Sequence, residues 1–333
     1  MTRLTAMDEY FVHQIPEPLP NVAVHHDHWR ESLFFVTFPR DELGDVVILT
    51  MAHFPKREVV DAIQMGRIAG ERVGGYHQRP YDGDPHTLEA GTVKIDIVEP
   101  YKTVKLSAGE GSPVVVDLTF TARTREYGLR RGTMKAGHEI IWDQSHMVQS
   151  GTYNGTYTHD GTTYEVKDWW GQRDHSWGIR DHGRCPLWIW PAFQLPDGMF
   201  GGWHWEYPNG AHCFTDMCFA PAEMSDPIPV TGFTHDVQFV DADDKPVAFG
   251  KHGEDVRGVR GSVGFALASG DEVRCDIAGA WAAPYEPFRR GGQFLVAITT
   301  GDGRKGNGII EITGARHHRY FPDTDVEGVL PTG

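Results

Sequence analysis

The sequence has few basic residues and no long hydrophobic run. Its 333 residues include 31 Lys and Arg against 46 Asp and Glu, which gives a formal net charge of −15. Proteins that bind nucleic acid need a basic surface for the phosphate backbone, so the charge balance predicts no nucleic-acid partner. Because no segment approaches the ~20 apolar residues of a membrane-spanning helix, we also expect no stable insertion into a membrane.

Cysteines and targeting signals are scarce as well. The four cysteines contain no C-x-x-C pair, which excludes a zinc ribbon and a thioredoxin-type redox motif. Residues 1–20 lack the basic region and the apolar run of a signal peptide. These features predict a cytoplasmic protein with reduced thiols.

Several catalytic signatures are missing. The sequence has no P-loop and no G-x-G-x-x-G segment joining a strand to a helix, so a nucleotide-binding fold has no support. A G-x-S-x-G elbow is also absent. Asp174, His175 and Ser176 are contiguous, and neighbouring side chains on an extended segment point to opposite faces. This arrangement argues against a hydrolase triad.

Histidine is frequent, with 18 residues, and two segments group it: residues 25–28 and residues 317–318. Adjacent side chains cannot easily converge on one ion, and neither an H-E-x-x-H motif nor a facial-triad spacing is present. We therefore expect both segments to be surface loops, and we expect no metal site.

Alternation of apolar and polar residues dominates the chain and predicts β-strands, as in residues 114–121. Asp-Gly or Asn-Gly turns at residues 159–161, 196–198, 208–210 and 301–303 separate such segments. Strands at this spacing are typical of antiparallel barrels or sandwiches. The stretch from Arg57 to Arg72 predicts a helix instead, although its glycines leave a strand as the alternative.

The length predicts two domains. We place the boundary between residues 184 and 185, where a dense polar loop is expected to end and a new series of strands begins. The predicted domains are residues 1–184 and residues 185–333.

The densest polar segment, residues 169–183, contains Arg-Asp-His twice, at 173–175 and at 180–182. Acids, imidazoles and guanidinium groups beside Trp rings can tune proton transfer, because an apolar wall raises a carboxyl pKa and a nearby Arg lowers it. The alternative is a structural ion-pair corner in which the arginines hold Asp174 and Asp181. The secondary candidates for a chemical role are Arg173, His146 and His182.

Aromatic side chains form a second feature. Trp188 and Trp190 share one face of a predicted strand, and Trp203 and Trp205 share one face of the next. Two adjacent aromatic strands suit the wall of a ligand cavity inside a barrel, and a Trp-rich core is the alternative. His204 lies on the opposite face, where we expect solvent or the other barrel. The same choice between cavity and core applies to Tyr153 and Tyr157.

The dense segment resembles the signature of a known family. The run Gly171-x-Arg173-Asp174-His175-Ser176-Trp177-Gly178-x-Arg180-Asp181 is similar to that of the lipocalin-like double-barrel proteins related to hydroxyneurosporene synthase, a carotenoid hydratase. Gln149-x-Gly151, the glycines at 155 and 161, and the Gly306–Glu311 segment support the match. The order of elements fits over residues 25–315, and the R-D-H-S-W-G string is the specific part.

The resemblance implies an all-β fold of two packed, lipocalin-like (calycin-type) antiparallel β-barrels. It also implies a cofactor-independent hydratase or lyase that adds or eliminates water, or a small carbonyl fragment, on a bulky hydrophobic terpenoid or aromatic small molecule. A carrier that binds such a molecule without reaction is the alternative, since fold kinship alone does not fix the chemistry. The direction of the reaction and the oligomeric state stay open.

The site residues follow by position in the family motif. Asp174 and His175 are the acid–base candidates, Arg180 and Asp181 are the supporting pair, and Ser176 is expected to cap a turn. Trp177 of the motif and the aromatic residues singled out by strand parity are expected to contact the substrate: Trp177, Trp188, Trp190, Trp203, Trp205, Tyr153 and Tyr157.

Overall fold

Antiparallel β-strands form almost all of the structure. The computed structural model describes residues 3–14, 26–250, 253–284, 291–314 and 318–322. Within these ranges the only helices are two short 3-10 helices, Ala6–Glu9 and Pro55–Arg57. The predicted all-β class is therefore confirmed. Two members of the histidine-rich segments, His25 and His317, lie outside the described residues.

The first twelve strands belong to one large sheet. In chain order they are β1 (Trp29–Phe38), β2 (Val46–Phe54), β3 (Val59–Ile68), β4 (Glu71–Pro80), β5 (Glu89–Ala90), β6 (Val93–Glu99), β7 (Thr103–Ala108), β8 (Val115–Ala122), β9 (Tyr127–Gly128), β10 (Gly132–Ala136), β11 (Glu139–His159) and β12 (Thr162–Arg180). Across the sheet the order is β4-β3-β2-β1-β12-β11-β8-β7-β6-β5, and β9 and β10 also pair with β11.

Side chains link the two ends of this path. Arg79 of β4 donates from Nη2 to the backbone oxygen of Thr87, at 2.8 Å, and from Nε to that of Glu89 on β5. His77 of β4 has its Nε2 3.1 Å from Thr92 Oγ1. The sheet is therefore a nearly closed barrel. Its apolar core includes Leu33, Phe35, Leu49, Met51 and Phe120.

The last eight strands close into a complete barrel. They are β13 (Leu187–Leu195), β14 (Gly198–Glu206), β15 (His212–Pro221), β16 (Ile228–Val240), β17 (Gly258–Leu267), β18 (Glu272–Pro284), β19 (Gly291–Thr300) and β20 (Lys305–Gly314). Closure follows because β13 pairs with β14 on one side and with β20 on the other. A separate apolar cluster fills this barrel and includes Leu187, Ile189, Phe193, Phe200 and Phe265.

Contacts within the chain define two compact units. The first comprises Met1–Arg40, Gly44–Arg131 and Gln144–Arg180, and the second comprises Asp41–Leu43, Gly132–Asp143 and Asp181–Gly333. The predicted boundary after residue 184 stays a prediction.

The helix predicted from Arg57 to Arg72 is wrong. This stretch contains β3 and the start of β4, and Ala69 and Gly70 turn between them with positive φ angles of 51° and 82°. On β3 the burial largely alternates, and β3 pairs with β2 along its length. Loose helical spacing of apolar residues was therefore the weaker signal.

Among the described residues, no helix has the length and apolar character needed to span a membrane.

Candidate active site

The R-D-H-S-W-G segment lies within strand β12, where a polar loop was expected. In the pairing with β1, Leu33 is opposite His175 and Phe35 is opposite Arg173. Arg173 and His175 therefore point inward with these two core residues, whereas Asp174 points to the other face. The two acid–base candidates, Asp174 and His175, do not meet at one reacting atom.

Asp168 sets which side chains of β12 point inward. Val166 belongs to the core of the first sheet and Trp169, three residues later, packs against the same core, so the alternation shifts by one between them. Asp168 has a left-handed φ of 51°, and its N–H donates to Asn154 Oδ1 at 2.9 Å. An extra residue of this kind is typical of a β-bulge.

His175 belongs to a buried ionic cluster on the inward face. Its Nδ1 donates to the backbone oxygen of Asp8 at 2.6 Å, and its Nε2 lies 3.0 Å from Glu31 Oε1. His13 contacts the same Glu31 oxygen through Nδ1 and contacts Asp8 Oδ1 through Nε2, at 2.9 Å. The His13 ring stacks on Trp177 with centroids 3.5 Å apart.

Arg173 forms a second buried pair beside this cluster. It donates from Nη1 and Nη2 to the two carboxylate oxygens of Glu9, at 2.6 and 2.7 Å, and from Nε to Gln149 Oε1 at 2.9 Å. Both Arg173 and Glu9 are almost completely buried. Such bidentate pairs are strong and geometrically specific, and this one fastens residues 6–9 to the sheet.

The acids and His13 of the inward cluster shift one another's pKa. Burial alone would raise the pKa of Glu31, but hydrogen bonds from His13 and His175 hold it below its usual range. Burial would lower the pKa of His13, but Glu31 and Asp8 raise it. Because both nitrogens of His13 face carboxylates, its ring is a cation. Every one of these groups has a charged or polar partner, which indicates a structural role for the cluster.

His53 differs from the other inward histidines. It lies opposite Glu31 in the pairing of β1 and β2, and its ring stacks on Tyr81 at 4.2 Å. Neither ring nitrogen has a hydrogen-bond partner among the described residues. Burial lowers the pKa of His53 to about 4, so the ring is neutral at pH 7.

The opposite face of β12 carries another titratable pair. Asp174 Oδ2 lies 3.2 Å from Nε2 of His146 on the neighbouring strand β11. His146 is buried, whereas Asp174 keeps 12% of its side-chain surface exposed. Burial lowers the pKa of His146, although Asp174 opposes this shift. A neutral imidazole therefore lies beside a carboxylate that solvent can reach.

Polar groups surround this pair on the same face. Ser176 Oγ accepts from Arg180 Nη2 and lies 3.2 Å from Ser32 Oγ, so Ser176 does not cap a turn. Arg180 also donates from Nε to Gln144 Oε1 at 2.6 Å. The side-chain amide of Gln172 is buried and has no partner among the described residues. An unpaired buried amide indicates a place for a water molecule or a polar ligand.

Arg180 and Asp181, the predicted supporting pair, bind different groups. Asp181 accepts from Arg184 Nε at 2.6 Å and from the backbone N–H of Gly183 at 2.9 Å. His182, a secondary candidate, packs its ring against Trp142 with centroids 5.5 Å apart.

The predicted tryptophans of the second barrel are buried but do not line its interior. On β13 the core residues are Leu187 and Ile189, so Trp188 and Trp190 point outward. Trp188, Trp203 and Trp205 gather around Trp142, at centroid distances of 5.2, 6.5 and 6.2 Å. Their role as substrate contacts stays a prediction.

Tyr153 and Tyr157 belong to the apolar core of the first sheet. Tyr153 donates to the backbone oxygen of Gln172 at 3.4 Å, and Tyr157 donates to Asp45 Oδ2 at 2.6 Å. Burial raises the pKa of both phenols, so neither is ionised at pH 7.

His318 was expected in a surface loop, and His204 was expected to face solvent or the other barrel; both are buried. His318 has no exposed surface and His204 is 5% exposed, and both contact Glu206. Sequence reasoning also missed the inward acids Glu9 and Glu31. The available signal was the position of Glu31 two residues from Leu33 and four from Phe35, which predicts a carboxylate on the apolar face of a strand.

Residues 4–249 match the sequence profile of a family described as a family of unknown function, DUF8625. The chain belongs to this family. No curated protein sequence shows significant similarity to this DUF8625 member.

Solved structures share the fold of the DUF8625 chain. Kievitone hydratase from Nectria haematococca matches with a TM-score of 0.57 and 10% identity, over 86% of this chain and 89% of that one. CghA in complex with Sch210972 matches with a TM-score of 0.60 and 12% identity, over 88% and 90%. The resemblance to the lipocalin-like hydratase fold is therefore confirmed.

Proposed function

We propose that this protein is a cofactor-independent hydratase or lyase that uses Asp174 and His146 as its acid–base pair on a hydrophobic small molecule. The observation that carries the proposal is the 3.2 Å contact between a partly exposed carboxylate and a buried imidazole. A carboxylate–imidazole pair can take up one proton and deliver it to a substrate, which is the requirement of general acid catalysis.

The reaction balances with this pair alone. In the direction of hydration, the protonated pair donates a proton to one carbon of an alkene, and positive charge develops on the adjacent carbon. A water oxygen bonds to that carbon and returns one proton to the pair, so the net change is addition of water. Elimination of water follows the same steps in reverse.

Neighbouring polar groups support this chemistry. Ser176, Arg180 and Gln172 lie on the same face of β12 as Asp174, where they can orient the water and a polar substituent of the substrate. The fold likeness to kievitone hydratase, whose name states a hydration, agrees with the proposal. The CghA structure, described as CghA with Sch210972, agrees with a fold of this kind holding a ligand.

The test starts from ligand that co-purifies with the protein, identified by native mass spectrometry. The released ligand, together with a panel of terpenoid and aromatic alkenes, is incubated with the full-length protein in heavy water. We expect deuterium at carbon and a mass gain equal to one heavy water. Asp174→Asn and His146→Gln should each lower this rate at least ~100-fold.

Asp96→Asn is the matched control, because Asp96 is an exposed carboxylate on β6, and it should react at the wild-type rate. Intact return of a bound ligand from the wild-type protein would support the carrier alternative. Undiminished turnover in Asp174→Asn would place the chemistry elsewhere.

A further inference from the structure

Three histidines surround one glutamate inside the second barrel. His204 and Glu206 lie two residues apart on β14, on the same face as the core residue Phe200. His235 lies on β16, and His318 follows β20 in the chain. His204, Glu206 and His318 are all buried, and the side chain of His235 is only 6% exposed.

The two oxygens of Glu206 have different partners. Oε1 lies 3.0 Å from His204 Nε2 and 2.6 Å from His235 Nε2, while Oε2 lies 2.8 Å from His318 Nε2. Two imidazole nitrogens therefore contact the same carboxylate oxygen, these three atoms lie within 4.8 Å of one another, and the second oxygen contacts His318.

Outer partners orient each imidazole ring. His204 Nδ1 is 2.7 Å from Thr215 Oγ1, and His235 Nδ1 is 3.0 Å from the hydroxyl of Tyr320. In this structure Nε2 of each ring donates to Glu206. Because both hydroxyls can accept an Nδ1 proton, the other tautomer of each ring would present its Nε2 lone pair to an ion. This arrangement of inner nitrogen and outer hydrogen bond is typical of metal-ligating histidines.

His318 has the other tautomer. The backbone N–H of Tyr320 donates to His318 Nδ1 at 3.3 Å, so the ring carries its proton on Nε2 and donates it to Glu206 Oε2. His318 is thus a positioning residue that fixes the carboxylate, and it is not a ligand itself.

We propose that His204 Nε2, His235 Nε2 and Glu206 Oε1 bind a divalent transition-metal ion such as Zn²⁺, with His318 orienting the glutamate. Two imidazoles and one carboxylate form a ligand set that suits such ions and leaves at least one coordination position for water. The site is independent of Asp174 and His146, which belong to other strands.

Binding of Zn²⁺ requires the two contacts to Glu206 Oε1 to lengthen by less than ~1 Å. Ligand atoms around a tetrahedral Zn²⁺ at ordinary bond lengths are about 3.3 Å apart, compared with 2.6 and 3.0 Å for the two contacts to Oε1. Arg319, an exposed residue, has its Nη2 3.2 Å from His235 Nδ1. Metal binding therefore requires the Nδ1 proton of His235 to point to Tyr320.

Each candidate ligand histidine has only one ring nitrogen against a carboxylate, since the Nδ1 atoms of His204 and His235 face hydroxyl groups. The inward cluster of the first sheet differs, because both nitrogens of His13 face carboxylates. Nδ1 of His204 and His235 can therefore carry the ring proton while Nε2 binds an ion, which His13 cannot do with both of its nitrogens held by carboxylates.

The test is a metal titration of the full-length protein after dialysis against a chelator. Calorimetry with Zn²⁺ alone should show one equivalent per chain with a Kd of about 1 µM or below, and Zn²⁺ should raise the Tm. Glu206→Gln and His235→Gln should each weaken binding more than ~100-fold, beyond the ~10–100-fold loss expected for the positioning variant His318→Gln.

His138→Gln is the matched control, because His138 is an exposed histidine in the turn before β11, and it should keep the site intact. X-ray absorption of the zinc-loaded wild type adds a measurement that does not depend on variants, with two imidazole nitrogens and one carboxylate oxygen expected. Absence of saturable binding, binding that survives Glu206→Gln, or loss of binding in His138→Gln overturns the proposal.

Discussion

Single buried charges link parts of the first sheet that are far apart in the sequence. Arg173 and Glu9 are separated by 164 residues, yet their side chains form a bidentate pair with almost no exposed surface. Removing one member of such a pair leaves the other buried and uncompensated, which costs far more than the pair itself contributes.

Glu9→Gln should therefore destabilise the protein strongly. We expect a loss of about 3 kcal/mol in the free energy of unfolding, measured by urea denaturation with tryptophan fluorescence. Glu110→Gln, an exposed change in the turn before β8, should change it by less than ~0.5 kcal/mol. The double variant Glu9→Leu with Arg173→Met should recover much of the loss, and a double variant as unstable as Glu9→Gln would contradict this account.

His53 predicts a defined pH dependence. Burial lowers its pKa in the folded protein to about 4 from 6.5, so between these pH values the unfolded chain binds a proton that the folded protein rejects. The contribution of His53 to the free energy of unfolding is fully present above pH 6.5. It is lost as the pH falls toward and below 4, by about 3 kcal/mol in total.

His53→Phe keeps the aromatic contact with Tyr81 and removes the titration. We expect similar stability at pH 7 and a smaller loss than wild type between pH 6.5 and 4.5, measured by urea denaturation at each pH. His86→Phe, at an exposed histidine, serves as the control and should follow the wild type. Parallel pH curves for His53→Phe and wild type would show that His53 does not titrate in this range.

At the scale of strands, local patterns predict much of the fold. Asp-Gly and Asn-Gly turns marked the β11–β12, β13–β14 and β14–β15 hairpins, and each is present. The dense polar segment, residues 169–183, was expected to be a loop, yet its part up to Arg180 belongs to strand β12. It is a strand because partners for its charges come from Glu9, Glu31 and His146, none of which is local.

Asp168 is the local irregularity that decides the inward face of β12, and its backbone conformation gives an element-scale prediction. A β-branched residue in a left-handed conformation costs roughly 1–2 kcal/mol, so Asp168→Val should lower the free energy of unfolding by about that amount. Asp168→Gly should lower it by less than ~0.5 kcal/mol, since glycine adopts positive φ freely. Equal losses in the two variants, measured by denaturation, would show that side-chain contacts of Asp168 matter more than its φ angle.

At the scale of the whole chain, the histidine excess separates into two buried clusters and a dispersed remainder. His13 and His175 meet at Glu31, and His204, His235 and His318 meet at Glu206. The histidine excess is visible in the sequence, but which histidines meet is decided by strand register and barrel closure, which involve residues far apart in the chain. Asp174 could be predicted from its motif. Its partner His146 was only a secondary candidate, because the two residues meet only through the pairing of β11 with β12.

If Asp174 transfers the proton, Asp174→Asn should lose turnover and keep its affinity for the ligand. A ligand at 100 times its Kd stabilises the folded state by about 2.7 kcal/mol, and an apolar ligand owes this mainly to buried surface. The co-purified ligand should therefore raise the Tm of wild type, Asp174→Asn and Asp96→Asn by similar amounts, in scanning calorimetry at pH 7. Only Asp174→Asn should lose deuterium incorporation from heavy water. Loss of both the Tm shift and the exchange in Asp174→Asn would mean that the carboxylate holds the ligand, and the acid–base role would then pass to another group.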